Sequence, residues 1–164
     1  MFHFTLKPDS SHQSKLPLTY GCEVWGHYNL NAVELLYRGH LKRILQVSKY
    51  TSNSIVYGEL GSCNVDTLIS KRMVNFWNSL NLGNQNKISA ILLKLTTKLY
   101  NTDIIKTKWL LKIRETLIRA GIPYLWDTEG ISTKSLKKIL HNNLKDSFIQ
   151  EWARDIDENL LCIN

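Results

Sequence analysis

The stretch NVDTLISKRMVNFWNSL, residues 64–80, has the period that decides the fold. Its apolar residues recur at steps of three and four, a spacing that places them on one side of an α-helix. They are Val65, Ile69, Met73, Phe76 and Leu80. Asn64 precedes them and suits an N-cap, because its side-chain oxygen can accept a hydrogen bond from an early helical N–H. We therefore predict an amphipathic helix that begins after Asn64.

Three other segments show the same period, and we expect each apolar stripe to face the core because an amphipathic helix buries its apolar side. In residues 31–47 the stripe consists of Val33, Leu36, Tyr37, Leu41, Ile44 and Leu45. In residues 88–99 it consists of Ile88, Ile91, Leu92, Leu95 and Leu99. In residues 108–120 it consists of Trp109, Ile113, Leu117 and Ala120, with an outer side of Lys108, Lys112, Glu115 and Arg119.

Capping residues indicate where two of the helices begin and end. Asn31 is a predicted N-cap, and Asn53 or Ser54 is the predicted cap of a short helix within residues 51–61. Gly61 is expected to end that helix, since glycine adopts the left-handed conformation common at helix ends.

The last segment has two interpretations. Its apolar residues are Leu136, Ile139 and Leu140 in the first half and Phe148, Trp152 and Ile156 in the second. At about 100° per residue, the two sets would lie on nearly opposite sides of one straight helix. We therefore predict a break in residues 142–145, near Asn142 and Asn143, followed by a capping box of Ser147 and Gln150. The alternative is one long helix whose buried stripe winds through Leu140, Leu144, Phe148 and Trp152.

These patterns predict an all-α fold, a bundle of about six or seven helices. No stretch carries a hairpin signal or alternates apolar and polar residues over more than a few positions. The length of 164 residues suits one domain with a real core. We expect residues 16–160 to form a single helical domain and residues 1–15, which lack any period, to form a loose leader.

The charge and the cysteines restrict the class of protein. The chain has 21 Lys+Arg against 14 Asp+Glu, a net charge of +7 that favours contact with phosphate backbones through counterion release. Cys22, Cys63 and Cys162 are too far apart for a zinc or redox motif, so we expect reduced thiols in an intracellular protein of the cytoplasm or nucleus. Neither a signal peptide nor a membrane-spanning segment is evident, and we expect no membrane partner.

The sequence offers no constellation of residues for catalysis, metal or cofactor binding. Its five histidines lack ligand spacing with one another or with cysteine. Gly21 and Gly26 are spaced like the glycines of a phosphate-binding loop, but His27 and Tyr28 follow where Lys and Ser/Thr are required. The carboxylates are too scattered for a two-metal centre. We therefore expect no enzymatic activity, no cofactor and no small-molecule ligand.

The stretch LPLTYGCEVWG, residues 16–26, brings Cys22 close to acid and histidine side chains along the chain. Pro17 suits the first position of a helix, which would place Cys22 in mid-helix on one side with Leu18 and Trp25. A strand with alternating residues would also align Cys22 with apolar neighbours. On both interpretations Cys22 is a core residue and not a nucleophile.

Two groups of basic residues are the candidate nucleic-acid-binding residues. In the first, Lys134, Lys138, His141 and Lys145 follow one line on a helix with Lys137 beside them, opposite Leu136 and Leu140. The second consists of Arg38, Lys42 and Arg43. Such rows can follow an RNA or DNA backbone. The solvated side of any amphipathic helix has the same pattern, and both readings stay open.

Four stretches of the chain, taken together, resemble the C-terminal tail of non-LTR (LINE-type) retrotransposon polyproteins. They are LPLTYGCEVWG (16–26), LLYRGHLKRILQVSKYTSNSIVYGELG (35–61), ISKRMVNFWNSL (69–80) and LKDSFIQEWARDI (144–156). In that family the tail follows the reverse-transcriptase core, and the resemblance covers about residues 16–158. It implies a parent family with RNA-templated DNA synthesis and usually endonuclease activity. No Phe/Tyr-x-Asp-Asp motif is present here, so no catalytic residue carries over.

The resemblance and the charge together predict a non-catalytic helical fragment that binds RNA or DNA without sequence preference. The alternative is a helical protein-interaction module that docks on a reverse-transcriptase core. In that case Gly21, Cys22, Trp25 and the stretch VYGELG (56–61) would form the docking surface. The serine-rich leader does not match the family, and we expect a truncated or fused gene.

Overall fold

The computed structural model describes residues 19–128 and 130–161, with side chains described as far as Asp155. These residues contain seven α-helices, a 3₁₀ turn and no strand, so the predicted all-α bundle is confirmed. The helices are α1 (Cys22–Trp25), α2 (Asn31–Ile44), α3 (Asn53–Leu60), α4 (Val65–Leu82), α5 (Ile88–Asn101), α6 (Lys108–Arg119) and α7 (Thr133–Leu161). The 3₁₀ turn (Pro123–Asp127) lies between α6 and α7.

Helix α4 is the axis of the bundle and packs against α1, α2, α5, α6 and α7. The Asn64 side chain caps it, accepting a hydrogen bond from Thr67 N–H at 2.9 Å, as predicted. Its buried surface is wider than the predicted stripe. The buried residues are Val65, Thr67, Ile69, Ser70, Met73, Val74, Trp77 and Asn78, whereas Phe76 and Leu80 are half-buried. A helix enclosed on several sides cannot keep a narrow apolar stripe.

Helix α7 runs without interruption, so the predicted break in residues 142–145 is wrong and the alternative of one long helix is confirmed. Leu136, Leu140 and Leu144 are each at most 1% exposed. Four-residue steps advance about 400° around a helix, so this row turns by about 40° per step and brings Phe148 and Trp152 to the packed side. Trp152 Nε1 donates a hydrogen bond to the Ser54 carbonyl at 2.6 Å.

The asparagines that suggested a break have another role. Asn143 Nδ2 donates a hydrogen bond to the Ala120 carbonyl at 2.8 Å, where α6 has just ended. A carbonyl at a helix end has no partner within its own helix, and Asn143 supplies one from the next helix. Ser147 and Gln150 lie within α7 and cap nothing there. The side chain of Ile156 lies outside the described residues.

The stripe predicted to face the core on α5 faces outward instead. Ile88, Ile91, Leu92 and Leu95 are exposed, and the buried residues of this helix are Ala90 and Leu93. Trp126 packs between α4 and the end of α5 and stacks on Trp77 with ring centroids 6.1 Å apart. Trp126 also contacts the Tyr100 ring and donates a hydrogen bond to Asn101 Oδ1 at 3.0 Å. These contacts hold the opposite side of α5 against the core.

Helix α2 departs from prediction at its start and in its outer residues. Tyr37 and Leu41 are buried, but Leu36 and Ile44 are exposed. Asn31 is the first helical residue and not the cap, because the Asn29 side chain accepts the Asn31 N–H at 2.9 Å.

Helix α3 begins at Asn53 after Ser52, and no side chain caps it, so the predicted caps Asn53 and Ser54 are wrong. It ends at Gly61 as predicted, with φ of 57° in the left-handed region.

The region of Cys22 is a short turn of helix close against α4. Cys22 is fully buried, as predicted, but it opens the four-residue α1 rather than lying in mid-helix. Gly26 sets the distance between the two helices, since an added Cβ would lie 2.2 Å from Ile69 Cγ2. The predicted leader, residues 1–15, and the predicted positions of Pro17 and Leu18 lie outside the described residues.

A substitution at Leu144 tests the continuity of α7. Leu144→Ala should lower the free energy of unfolding by about 2–5 kcal/mol, because the side chain is buried in the middle of a packed row. Ile149→Ala, at a 44% exposed position of the same helix, is the matched control and should change it by less than about 1 kcal/mol. Urea denaturation followed by circular dichroism measures both. Equal effects would mean that Leu144 is not packed as described.

Candidate nucleic-acid interface

The basic row of α7 is the most accessible candidate interface. Lys134, Lys137 and Lys138 are exposed on the side of the helix opposite Leu136, as predicted. His141 and Lys145 continue the row at steps of three and four residues and are also exposed. None of the ion pairs among the described residues includes these lysines. Their charge is therefore available to an external anion.

Lys145 differs from the other three lysines in its surroundings. The buried row of α7 turns around the helix, so at Lys145 the basic row runs beside the packed side. Lys145 lines a cavity of about 220 Å³ together with Cys63 and Phe148. All four lysines are exposed, as expected for one outer side, and Lys145 also borders the packed side of α7.

The second predicted group, on α2, is largely occupied within the chain. Arg38 Nε lies 3.7 Å from Glu34 Oε1, and Lys42 Nζ donates a hydrogen bond to the Lys49 carbonyl at 2.9 Å. Arg43 is exposed and is in none of the described ion pairs. Lys42 and Arg43 are thus both outside the described ion pairs, but Lys42 is held by the Lys49 carbonyl.

The surroundings of Arg38 do not suit a phosphate backbone. Arg38 lines a groove of about 510 Å³ that also contains four carboxylates, those of Glu34, Asp66, Glu151 and Asp155. Glu34 organises one wall, because it accepts hydrogen bonds from the Tyr57 hydroxyl and, at 2.8 Å, from Val65 N–H. Burial and the neighbouring Glu34 raise the pKa of Tyr57, so its hydroxyl remains a donor. The α7 lysines are not part of this groove.

A further cluster of cations was not evident in the sequence. Burial lowers the pKa of Lys71 on α4, and the like charges of Lys145 and Arg119 lower it further. Three helices that are distant along the chain bring these residues together, and no spacing within one segment indicates this. Lys71 is half-buried, so it adds positive potential beside Lys145 more than it adds a contact surface.

Two basic residues predicted for the outer side of α6 face inward. Lys112 Nζ lies 2.5 Å from Asp66 Oδ1, and Arg119 Nη1 lies 3.0 Å from Asp66 Oδ2. Asp66 stands in the first turn of α4, so the three residues join α4 to α6. Burial alone would raise the pKa of Asp66, but the hydrogen bonds and charges of Lys112 and Arg119 outweigh it and lower the pKa.

The two described thiols are not activated. Burial raises the pKa of Cys22, and Arg72 opposes this only in part. Burial also raises the pKa of Cys63 despite nearby Lys71 and Lys145. A nucleophilic cysteine needs the opposite shift, towards the thiolate. Glu23, the acid beside Cys22, pairs instead with Arg72 at 3.2 Å.

The docking surface predicted around Cys22 and VYGELG is partly exposed, since Gly58, Glu59 and Gly61 face solvent and Gly21, Trp25 and Leu60 are half-buried. Cys22, Val56 and Tyr57 are buried within the chain itself. The side chains of these three residues belong to the core, so the exposed remainder of the predicted surface is mainly glycine and Glu59.

Comparison with protein families, curated proteins and solved structures finds no match to this chain. Among the residues that the structure describes, no group of three His, Cys, Asp or Glu side chains is placed to hold a metal ion. Within the same residues, no helix has both the length and the apolar character that crossing a bilayer requires.

The Asp66 ion pairs predict a specific pH dependence of stability. Because the folded state lowers the pKa of Asp66, its contribution is complete well above the ordinary value of 3.8 and is lost as the pH falls below that value. Asp66→Asn should lower the free energy of unfolding by about 1–3 kcal/mol at pH 7. The difference in free energy of unfolding between this variant and the wild type should narrow between about pH 5 and pH 2.

Urea unfolding at a series of pH values measures this difference. Asp146→Asn is the control, because Asp146 is exposed and is in none of the described ion pairs, and its curve should run parallel to that of the wild type. A difference between wild type and Asp66→Asn that stays constant with pH would contradict the assignment.

Proposed function

We propose that this chain is a non-catalytic helical module that binds RNA or DNA backbones without sequence preference. The observation that carries the proposal is the row of exposed lysines on α7, Lys134, Lys137 and Lys138, with no carboxylate paired to them in the described residues. Each phosphate that such a lysine neutralises releases condensed counterions, which drives binding whatever the base sequence.

The regular geometry of α7 supports a backbone contact rather than base recognition. Lys134, Lys138 and Lys145 follow the helix at one, and then about two, helical turns, so their ammonium groups form a line along the helix. Lysine binds phosphate as a point charge on a flexible stem and reads no base edge by itself. The net charge of +7 adds a long-range attraction that speeds encounter.

The resemblance to the tail of LINE-type polyproteins supports the same proposal, since that family acts on RNA and DNA. We propose that the chain descends from such a tail and that it takes no catalytic part. The order of the four motifs along residues 16–156 is the basis for the descent.

Binding to short labelled RNA and DNA at several salt concentrations tests the proposal. We expect affinity to fall steeply with salt, with a slope of about 0.7 per phosphate contact on single strands and about 0.9 on duplex DNA. The triple variant Lys134→Glu, Lys137→Glu, Lys138→Glu should weaken binding by at least about tenfold at low salt and reduce the slope by about two to three. Fluorescence anisotropy measures both quantities.

Two control variants separate a site from a general effect of charge. Lys87→Glu, Lys94→Glu, Lys98→Glu makes the same change of net charge on α5 and should weaken binding much less. Arg38→Gln should change affinity by less than about twofold, because Arg38 pairs with Glu34 in a groove that holds four carboxylates. Absence of binding at low salt, a flat salt response, or an equal loss from the α5 variant would reject the proposal.

A further inference from the structure

Helix α5 presents an apolar seam to solvent. Ile88, Leu92, Leu95 and Leu99 follow one another at steps of four, three and four residues, the spacing of a helix–helix contact. Ile88 is 76% exposed, Leu92 55% and Leu95 52%, and Ile91 beside them is 45% exposed. Leu99 is half-buried and ends the seam, which is about 16 Å long.

Two more apolar residues are exposed just past the end of α5. Ile104 and Ile105 both donate their N–H groups to the Leu99 carbonyl, so the chain folds back at the end of the helix. Their side chains are 70% and 37% exposed. Single exposed apolar residues are common on protein surfaces, whereas several along one side of a helix are typical of a surface that binds another molecule.

One side of the seam is edged by lysines. Lys87, Lys94 and Lys98 lie within about 40° of one another around the helix, next to Ile91. Lys94 and Lys98 also line a groove of about 480 Å³ between α4, α5 and the 3₁₀ turn, whose one carboxylate is that of Asp127. Helix α5 contains no Asp or Glu, and none of the described ion pairs includes these lysines.

The other side of the seam carries no charge from α5. Ser89 and Thr96 lie there, and the Thr96 hydroxyl donates to the carbonyls of its own helix. The surface of α5 is thus an apolar strip with positive charge along one edge only.

We propose that the α5 seam docks an amphipathic helix of a partner protein whose apolar stripe is flanked by carboxylates. Apolar side chains of that helix at positions i, i+3, i+4 and i+7 would pack on Ile88, Leu92 and Leu95. Its Asp or Glu residues would lie over Lys94 and Lys98 at the polar groove. This surface shares no residue with the α7 lysines, so the proposal does not depend on nucleic-acid binding.

The charge pattern favours a partner helix over two other molecules that could cover an apolar strip, a second copy of this chain and a lipid bilayer. A second copy of α5 brings no carboxylate to meet the lysines. A helix that lies on an anionic bilayer is surrounded by headgroups and carries cations across its polar face, whereas here they follow one edge of the strip. A neighbouring helix of opposite charge matches a one-sided row.

The test uses two designed peptides of three heptads, each with Leu at positions a and d. One carries Glu at positions e and g and the other carries Lys there. Fluorescence anisotropy with the full chain should show that the Glu peptide binds at least about tenfold more tightly than the Lys peptide. Leu92→Glu and Leu95→Glu should each lower the affinity for the Glu peptide by at least about tenfold, since both introduce a charge into the seam.

One control makes the same substitution at an exposed apolar position away from the seam, and a second variant reverses the charge of the lysine edge. Ile118→Glu, at a 58% exposed position on α6, makes the same change away from the seam and should leave peptide binding within about twofold of the wild type. The double variant Lys94→Glu, Lys98→Glu should bind the Glu peptide less tightly and the Lys peptide more tightly than the wild type does. Circular dichroism of each variant confirms that it is folded, which exposed positions should permit.

Four results would overturn the proposal. The first is that the Glu peptide does not bind, and the second is that both peptides bind equally. The third is a dimer of the chain in sedimentation that Leu95→Glu converts to a monomer, which would assign the seam to a second copy. The fourth is binding to vesicles of phosphatidylcholine and phosphatidylglycerol that Leu95→Glu abolishes while peptide binding persists, which would assign it to a bilayer.

Discussion

The buried amide of Asn78 fixes the relation between the two longest helices of the bundle. Asn78 Nδ2 donates to the Ile131 carbonyl at 2.9 Å, and Asn78 Oδ1 accepts the Ile131 N–H at 3.0 Å. Gly130 makes this approach possible, since it has φ of 97° and an added Cβ would lie 2.9 Å from Asn78 Oδ1. The chain is therefore held to α4 just before α7 begins, and this sets which residues of α7 face the core.

The placement of charge follows from that register. With Leu136 directed at α4, Lys134, Lys137 and Lys138 must lie outside, and the turning of the buried row then brings Lys145 towards Cys63 and Lys71. The carboxylates collect elsewhere, in the groove between α2, α3 and the second half of α7. A chain with a net charge of +7 thus divides its surface into a basic helix side and an acidic groove. This division is the physical basis for expecting phosphate contacts on α7 and not on α2.

Patterns within one segment predicted the structure correctly where residues close along the chain determine it. The Asn64 cap, the end of α3 at Gly61 and the burial of Ile113 and Leu117 on α6 were all predictable, because each depends on residues within a few positions. The failures on α5 and α7 differ in origin. On α5, Trp126 packs against the end of the helix through a contact 25 residues away along the chain, which no helical period encodes. On α7 the buried row through Leu144 was one of the two patterns that the sequence offered, and Asn143, which suggested a break, donates instead to the Ala120 carbonyl.

The candidate sites show the same limit. Exposure of Lys134, Lys137 and Lys138 followed from the amphipathic pattern alone. The occupation of Arg38 and Lys42 within the chain did not, nor did the pairing of Lys112 and Arg119 with Asp66 across 46 and 53 residues. The sequence gives the charge of a basic side chain but not its partner. Only the folded chain distinguishes the exposed lysines of α5 and α7 from the basic residues that pair within the chain.

Native-state hydrogen exchange of the full chain tests whether α7 is one continuous helix anchored on α4. Amides that open only on global unfolding exchange most slowly, and residues packed as one unit exchange together. We expect the amides of residues 69–78 in α4 and 136–148 in α7 to exchange together in the slowest group. The amides of residues 142–145 should exchange no faster than their neighbours. Rapid exchange at 142–145 between protected flanks, or loss of protection throughout 136–148 while α4 stays protected, would contradict it.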